Sequence, residues 1–588
     1  MIAIPRYSPS FGIPAAVTRI ARRVSPQTAW TTATPLPLRP VLAVATLFSL
    51  AWFAWYFHHG LILQYEDSIS HPQIARRVLD SPTPGISQLG GVWPPLPHLL
   101  MLPLIWNNWL FFSGVVGAAV SMICYVLTAG LTTRVTALLG IGRAGSIAAL
   151  GVMLLNPNMR YMQSTGMTEL PLIAATVATV YFLLRWSQTE SLGAFVGMNV
   201  SLLAATATRY EGWVLWGAVL AALGFIMVRR RWSRAKILDY AIYYVVFSSL
   251  FIAAWMAWNK IILGTGWLGF LNSEYASAEI WVGSADRAVG HLDLAFKTYW
   301  YAMQMMCGSW ALLAGLVGLA IFLLRDRLRA ETVGVLTLLF PIPFFTYALY
   351  GGQRPMHVPQ INGDYYNVRF ALQMLPIVAF MIGILIDAIV RTVTGESLAR
   401  RLPAIQPAIR SRLRPPARAI GLGALAATVA LIVSIANIAL LEPTLGAAHD
   451  NSRARVQALG VCVQEAVGTH PRMLMENHAN ELVLFYSGID MGGVVYEGSY
   501  LIWDEALSNP DAYVDWIYMR RTSGAEDKVW KALHANTAAL APYRVVFEND
   551  DVILYGRTSL VGEGAPANCA LPSTATTTAT SPADAPAT

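Results

Sequence analysis

The chain has 588 residues, of which 55% are hydrophobic and only 13% charged. Soluble domains carry roughly 25% charged residues, so a soluble globular fold is excluded and an integral membrane protein is expected. The formal charge of +7 does not indicate nucleic acid, because the basic residues lie between apolar runs instead of on one soluble face.

In chain order, a basic segment (1–40) precedes the first apolar run. No A-x-A-like cleavage site follows that run, so it is expected to remain as an anchor. A spanning helix needs roughly 20 apolar residues. Eleven segments qualify or nearly qualify: 41–60, 108–131, 144–157, 169–185, 192–208, 212–228, 238–263, 299–324, 332–350, 370–390 and 419–441. With the N-terminus inside, the inner connections hold 23 of the 41 basic residues and the outer connections nine. That bias sets the orientation: N-terminus cytoplasmic, C-terminal part extracytoplasmic, in the plasma (inner) membrane. Beyond the spans, 442–558 regains charges. Short β-rich runs ("RMLME", "DWIYMRR", "YRVVFEN", "VILYGR") alternate there with helical patterns such as "SRARVQALGVCVQEAV", which reads as a small α/β domain. An Ala/Pro/Thr tail (559–588) has the composition of a disordered segment. The fold class is therefore mainly α: a polytopic membrane helical bundle of about 11 spans with a small C-terminal extracytoplasmic α/β domain.

The four cysteines form no CxxC pair, which argues against a cysteine-based zinc site. Cys124 and Cys307 sit in apolar runs as packing residues. Cys462 and Cys569 can pair if both face an oxidising compartment. "GTGWLG" at Gly264 to Gly269 matches a dinucleotide fingerprint only in letters, since it follows a membrane helix instead of a strand.

The span centres are almost free of ionisable residues, whereas ion-coupled transporters place such groups at mid-membrane. Charges gather instead at the outer ends. The segment "QYEDSISHPQIARRVLD" puts Glu66 and Asp67 at the mouth of the first span. It then spaces Ile74, Val78 and Leu79 as a short amphipathic helix in the interface, with His71, Arg76 and Arg77. "WPPLPHLLMLP" leads back into the membrane, with Trp93 as an interfacial anchor. In "NPNMRYMQSTGMTELPL", Arg160 lies in a turn, Thr168 reads as an N-cap, and Glu169 favours the following helix N-terminus. "ATRYEGWVLW" is a tight hairpin carrying Arg209 and Glu211. "QINGDYYNVRFALQMLP" carries Asp364, Tyr365, Tyr366 and Arg369 on the same side. Taken singly, these groups suit snorkelling, capping or an aromatic belt. Together, arginines interleaved with carboxylates in separate outer loops point to a basic pocket for an anionic group, most naturally a phosphate. Asp67, His71 and Glu169 are three O/N donors that can hold a divalent cation if they converge.

In this order and spacing, the acidic pair, "HPQIARRVLD", "WPPLPHLLMLP", "NP…STGMTELP", "TRYEGW" and "YYNVRFALQMLP" resemble the GT-C membrane glycosyltransferases. These include the dolichyl-phosphate-mannose protein mannosyltransferases and the bacterial aminoarabinose and RgtA-type sugar transferases. The resemblance covers roughly Gln64 to Pro376. The family commonly shows Asp-Glu where this chain has Glu66-Asp67, which leaves open which carboxylate acts. The resemblance implies a polyprenyl-phosphate-linked sugar as donor, a lipid, glycan or protein acceptor, and transfer on the outer face, usually with inversion. On that reading Asp67 (or Glu66) is the base. Arg76, Arg77, Arg160, Arg209 and Arg369 hold the donor phosphate. His71, Glu169, Glu211, Asp364, Tyr365 and Tyr366 line the substrate pocket. The rival reading is a transporter or lipid-phosphate flippase that uses the same pocket without chemistry. A third is a non-catalytic envelope assembly protein whose C-terminal domain binds a partner.

Overall fold

A computed structural model describes residues 32–272, 287–393, 442–448, 453–522 and 525–561. Among them, eight helical stretches are long and apolar enough to cross a membrane, and the architecture is a polytopic helical bundle with a small C-terminal sheet domain. Helix α1 (Leu38–His58) is followed by the short α2 (Asp67–Arg77) and α3 (Leu96–Ile105). Next come α4 (Val115–Leu138), α5 (Arg143–Leu155), α6 (Glu169–Thr189), α7 (Leu192–Thr208) and α8 (Glu211–Arg229). The pair α9 (Arg234–Ser248) and α10 (Leu250–Ile261) forms one crossing. After it come α11 (Leu292–Cys307), α12 (Ser309–Asp326), a stretch Val333–Tyr350, and a 3₁₀ turn (Val368–Met374) that continues into α13 (Leu375–Val393).

Ten of the eleven expected segments fall on helices, and the eleventh, 419–441, lies outside the described residues. Two of the ten, α5 and α7, have only 13 and 17 residues. One expected span, 299–324, is broken. Gly308 adopts φ +87° and separates α11 from α12, and only α12 is long and apolar enough to cross. A left-handed or near-left-handed residue cannot continue a right-handed helix, and glycine adopts it without steric cost.

The bundle core is centred on α6 and the 368–392 stretch, the most buried of the candidate spans, whereas α1 and Arg234–Ile261 expose most of their apolar surface. A close approach sets α2 into this bundle. A Cβ on Gly117 of α4 would stand 2.6 Å from the Gly166 Cα, and one on Gly166 would stand 2.9 Å from the Ser68 carbonyl of α2. Only the missing side chains let the three backbones meet, as small residues do between membrane helices generally.

The C-terminal domain has a five-stranded sheet of β1 (Met473–Leu474), β2 (Val494–Val495), β3 (Trp516–Arg520), β4 (Tyr543–Glu548) and β5 (Val552–Arg557), in the order β2-β1-β3-β5-β4. β1 is parallel to β2 and to β3, and β3, β5 and β4 are antiparallel neighbours. The four segments read as strands are β1, β3, β4 and β5; β2, only two residues long, carries no legible pattern. Helices α14 (Arg453–Val467) and α15 (Asn477–Ser487) pack on the sheet. Cys462 is disulfide-bonded; Cys569, the other half of the expected pair, lies outside the described residues.

The domain is seated on the bundle through α2. Ser70 Oγ donates to Glu481 Oε1 at 2.7 Å, and Gln73 Nε2 donates to the Glu481 carbonyl at 2.7 Å. Phe485 meets Phe111 and Phe112 with ring centroids 5.5 and 5.7 Å apart. Arg453 donates to the Leu63 carbonyl and, at 2.6 Å, to that of Gln64. This corrects the expectation of an amphipathic helix lying on a lipid interface. Ser68 to Arg76 are all buried, because the bundle takes the apolar side of α2 and α15 takes its polar side.

Replacing Gly117 by Ala separates packing from helix propensity. Propensity alone favours Ala by about 1 kcal/mol, but overpacking costs about 1–3 kcal/mol. The expected net result is a lower thermal midpoint for the purified protein. An unchanged or higher midpoint means the α4–Gly166–α2 approach is not tight.

Candidate functional site

At the end of the bundle that carries the C-terminal domain, four distant segments supply a chain of alternating charges. Asp67 is the first residue of α2. Arg369 stands in the 3₁₀ turn, two residues after Asn367, whose φ of +51° redirects the chain and whose Nδ2 donates to the Pro355 carbonyl. Arg369 Nη2 donates to Asp67 Oδ2, and its Nε donates to Glu169 Oε1 at 3.2 Å. Arg209 then bridges two carboxylates: its Nη1 lies 3.3 Å from Glu169 Oε1 and its Nη2 2.8 Å from Glu211 Oε1. Gln373 Nε2 donates to Glu211 Oε1 at 3.2 Å and closes the series. Aromatic faces cover the cations. The Arg369 guanidinium sits 4.4 Å from the Tyr65 ring centroid and 5.0 Å from that of Phe370; Arg209 is 4.8 Å from Phe370 on its own side.

The local sequence explains the placement. Glu169 and Glu211 each occupy the first turn of a helix, where the helix dipole favours a carboxylate. Thr168 holds the N-cap position, but its hydroxyl accepts from Arg209 Nη1 at 2.8 Å instead of capping the helix. In the hairpin, a Cβ on Gly212 would stand 2.4 Å from the Ala205 carbonyl oxygen. Glycine there lets α8 begin against the end of α7 and brings Arg209 and Glu211 together. Glu169 and Glu211 are fully buried, and each leaves Oε2 without a hydrogen-bond partner. Asp67 differs: its side chain is 33% exposed, so of the three carboxylates it alone opens to solvent.

The other expected residues divide. Arg160, on a short helix (Pro157–Met162), stacks its guanidinium 4.0 Å from the Trp52 ring centroid and leaves Nε buried without a partner. No carboxylate among the described residues pairs with it. Arg77 lies 5.2 Å from the Tyr496 ring at the seam with the C-terminal domain, its Nε also unpartnered. Arg76 is spent on structure. Its Nε pairs with Asp80 at 2.9 Å, Nη1 donates to the Ile105 carbonyl at 2.9 Å, and Nη2 donates to Asn108 at 2.8 Å. Arg76 therefore ties α2 to α3 and is not free to take a phosphate. Arg209, engaged with two carboxylates and Thr168, is a member of the buried network.

His71 Nδ1 lies 2.9 Å from His98 Nε2, with the ring against Trp93. Burial, then the positive charges of Arg209 and Arg369, push its pKa down to about 3, so the imidazole is neutral. Asp364 pairs with His357 at 3.0 Å on the exposed outer loop. Tyr366 bridges His357 through its backbone, and the Tyr365 ring lies against Gly446. Glu66 is exposed and lines a cavity under the C-terminal domain.

The three-donor metal set does not assemble. Asp67 and Glu169 share a guanidinium, and His71 is bonded to His98. Among the described residues no group of three or more His, Cys, Asp or Glu side chains is arranged to hold a metal ion.

Three contributors escaped the sequence reading as site residues. Arg354, half-buried 5.8 Å from the Tyr210 ring, has no carboxylate within ion-pair distance among the described residues. Burial holds its pKa below the usual arginine value, while Glu211 and, more weakly, Asp67 act in the opposite sense. Its only signal was being a lone arginine in an outer loop. Gln373 gave none. Glu481 sits in an ordinary amphipathic helical pattern. Burial first, then the Glu66 charge, pushes its pKa up to about 8.

No protein-family model matches the chain, and no curated protein sequence matches it. Among solved structures, the chain is similar to one described as ArnT from Cupriavidus metallidurans bound to undecaprenyl phosphate, at 13% identity and TM-score 0.49, over 89% of this chain and 98% of that one. It is also similar to one described as the archaeal oligosaccharyltransferase AglB from Archaeoglobus fulgidus in complex with an inhibitory peptide and a dolichol-phosphate, at 12% identity and TM-score 0.47, over 89% and 74%. These likenesses are loose and assign no chemistry to this chain.

Breaking a buried ion pair by removing one partner costs about 3–5 kcal/mol. Arg369→Gln is therefore expected to destabilise by that order, and Glu169→Gln added to it to recover part of the loss, since it removes a stranded charge. Thermal unfolding of the two variants checks this; a double variant no more stable than the single one contradicts the bridge. Glu481 gives a pH signature. Its folded pKa lies above the ordinary value of 4.5, so its contribution is full below about pH 4.5 and is lost as pH rises through about 8. Glu481→Gln, which cannot ionise, should show a smaller fall in thermal midpoint between about pH 6 and about pH 9 than the parent. Parallel curves for the two proteins would remove Glu481 as the titrating group.

Proposed function

We propose that this protein is a membrane glycosyltransferase of the GT-C type. It moves a sugar from a polyprenyl-phosphate donor to an acceptor hydroxyl on the outer face of the membrane, with inversion. The observation that carries the reading is the Asp67–Arg369 pair. A carboxylate open to solvent at the mouth of an apolar bundle is held in place by a guanidinium that is itself fixed by a buried carboxylate. In such a site Asp67 takes the proton from the acceptor hydroxyl as that oxygen attacks the anomeric carbon, and the sugar–phosphate bond breaks with its electron pair on the phosphate. A base within hydrogen-bond reach contributes about 10²–10⁴-fold. Positive groups near the leaving phosphate stabilise the charge that develops there. Arg160 and Arg354, which have no carboxylate partner among the described residues, suit that role better than Arg76 or Arg209, whose donors are engaged.

The outer-face assignment is supported by the Lys/Arg count of the connections. It is also supported by the disulfide-bonded Cys462 in the domain beside Asp67, since disulfides persist in oxidising compartments. The test is sugar transfer in membranes supplied with polyprenyl-phosphate sugars. Asp67→Asn should lower the rate by about 10²–10⁴-fold, and by more than Glu66→Gln does, since it is Asp67 that Arg369 holds. If both inserted variants transfer at the parental rate, the assignment of the base fails.

A further inference from the structure

The end of the bundle opposite Asp67 carries a charge pattern of another kind. Helix α8 starts in the charge series at Glu211 and runs for 19 residues, about 28 Å. It ends in the hairpin "RRRWSRAK", Arg229 to Lys236, which joins it to α9. The five basic residues of this hairpin fall into two sets. Arg230 pairs with Glu190 at 3.1 Å and with Glu331 at 3.4 Å, and it donates to the Ser187 carbonyl. Lys236 pairs with Glu190 at 2.8 Å, its ammonium 3.5 Å from the Trp232 ring centroid. Two carboxylates thus balance two cations and tie the hairpin to the end of α6 and to the loop after α12. Arg229, Arg231 and Arg234 are exposed, and no carboxylate among the described residues pairs with them. Asp239, the one other acid between Gly212 and Ile261, is exposed and pairs with none of the three.

The backbone singles out Arg231. Helix α8 closes in a Schellman motif: the Arg231 N–H donates to the Val228 carbonyl at 2.9 Å, and the Trp232 N–H to the Met227 carbonyl at 3.1 Å. Arg231 holds the left-handed position of that motif, with φ +53°. Glycine fits there without steric cost and is the usual residue. Folding of the hairpin alone therefore favours glycine at 231. A side chain kept in a strained backbone is a sign that the side chain is used, and here it is a guanidinium flanked by two others that lack an acidic partner.

The flanks of the hairpin decide what meets these cations. Phe225 and Val228 before it are 39% and 69% exposed, and Leu238 and Ile242 after it are 58% and 53% exposed. The α9–α10 crossing exposes most of its apolar surface. The three arginines therefore stand at the rim of a surface that faces lipid chains. A phospholipid matches both parts. Its acyl chains lie along α8 and α9, and its phosphate reaches guanidiniums whose paired N–H groups suit phosphate oxygens. Basic groups at the ends of membrane helices recognise anionic head groups in this way. We propose that the α8–α9 hairpin binds the head group of an anionic phospholipid in the leaflet opposite to Asp67. Glu190 and Glu331 fix the hairpin by taking Arg230 and Lys236, and the other three arginines are left to the lipid. This site stands apart from the glycosyltransferase reading and holds or fails without it.

Native mass spectrometry of the full-length protein in detergent tests the site, with phosphatidylglycerol as the anionic probe and phosphatidylcholine as the neutral one. The parent should bind phosphatidylglycerol about tenfold more tightly. The triple variant Arg229→Gln, Arg231→Gly, Arg234→Gln should bring the two affinities together. Arg231→Gly alone should weaken phosphatidylglycerol binding a few-fold, while its thermal midpoint in phosphatidylcholine equals or exceeds that of the parent, because glycine relieves the backbone. That pairing separates a lost contact from a lost fold. Arg143→Gln, which removes an exposed arginine at the start of α5, should leave the preference unchanged. Equal affinity of the parent for the two lipids overturns the proposal, as does a preference that survives in the triple variant or is lost equally in Arg143→Gln. Displacement of phosphatidylglycerol by an equal concentration of inorganic phosphate also overturns it, since the site would then take a free anion instead of a lipid.

Discussion

The buried series Asp67–Arg369–Glu169–Arg209–Glu211 is the constraint on which the rest of this end of the molecule depends. A charge taken out of water costs several kcal/mol even after relaxation, and only close, well-directed partners offset it. Glu169 and Glu211 are wholly buried, so each must keep its arginine. The four segments that carry these residues are therefore locked in register: the start of α2, the starts of α6 and α8, and the turn before α13. Hydrophobic packing between helices in lipid is weakly directional. The charge series supplies the direction, and it does so where helix dipoles already favour the acidic members.

A second constraint acts on α2 from above. Its polar side would face water or headgroups in an isolated bundle. Here Ser70 and Gln73 are taken up by Glu481, and Phe485 joins the apolar cluster of Ile69, Ile105, Phe111 and Val116. The helix that presents Asp67 is thus held on one side by bundle packing and on the other by the C-terminal sheet region. That arrangement makes the position of Asp67 sensitive to the C-terminal domain, although the contact joins residues more than four hundred apart in the chain.

Much of this was legible in the residues. Length and hydropathy located ten helices, because twenty apolar residues in a row have few alternatives. The break at Gly308 was hidden, because the apolar run continues unbroken through it and nothing in composition reports a left-turning backbone. The network members Asp67, Glu169, Arg209, Glu211 and Arg369 were all visible as charges placed against the usual bias of outer loops. Which of them touch was not visible, because Arg76 and Arg209 read alike in sequence, and only the positions of Asp80, Asn108 and Ile105 show that Arg76 is a brace. Glu481 was illegible for another reason. Its importance comes from meeting Ser70 across a distance in sequence that no periodicity encodes.

The arrangement also bears on the choice between chemistry and passage. A carrier for a phosphate head group needs cations that release their ligand and a path along which they are repeated. Here Arg369 and Arg209 each bridge two carboxylates and lie against ring faces, which makes them poor handles for a moving anion. Counting the nearby Arg354 with the five members of the series, the charges sum to zero. On the proposed reading, a phosphodiester adds negative charge that the series does not neutralise, and more gathers on the phosphate as its bond to the sugar breaks. Outside that sum, Arg160 and Arg77 are arginines without a carboxylate pair among the described residues. A fixed field that favours the later charge distribution over the earlier one is what accelerates a reaction, whereas equal affinity along a route is what transport asks for. The rigidity of the series, with a single exposed carboxylate at its end, fits the first requirement.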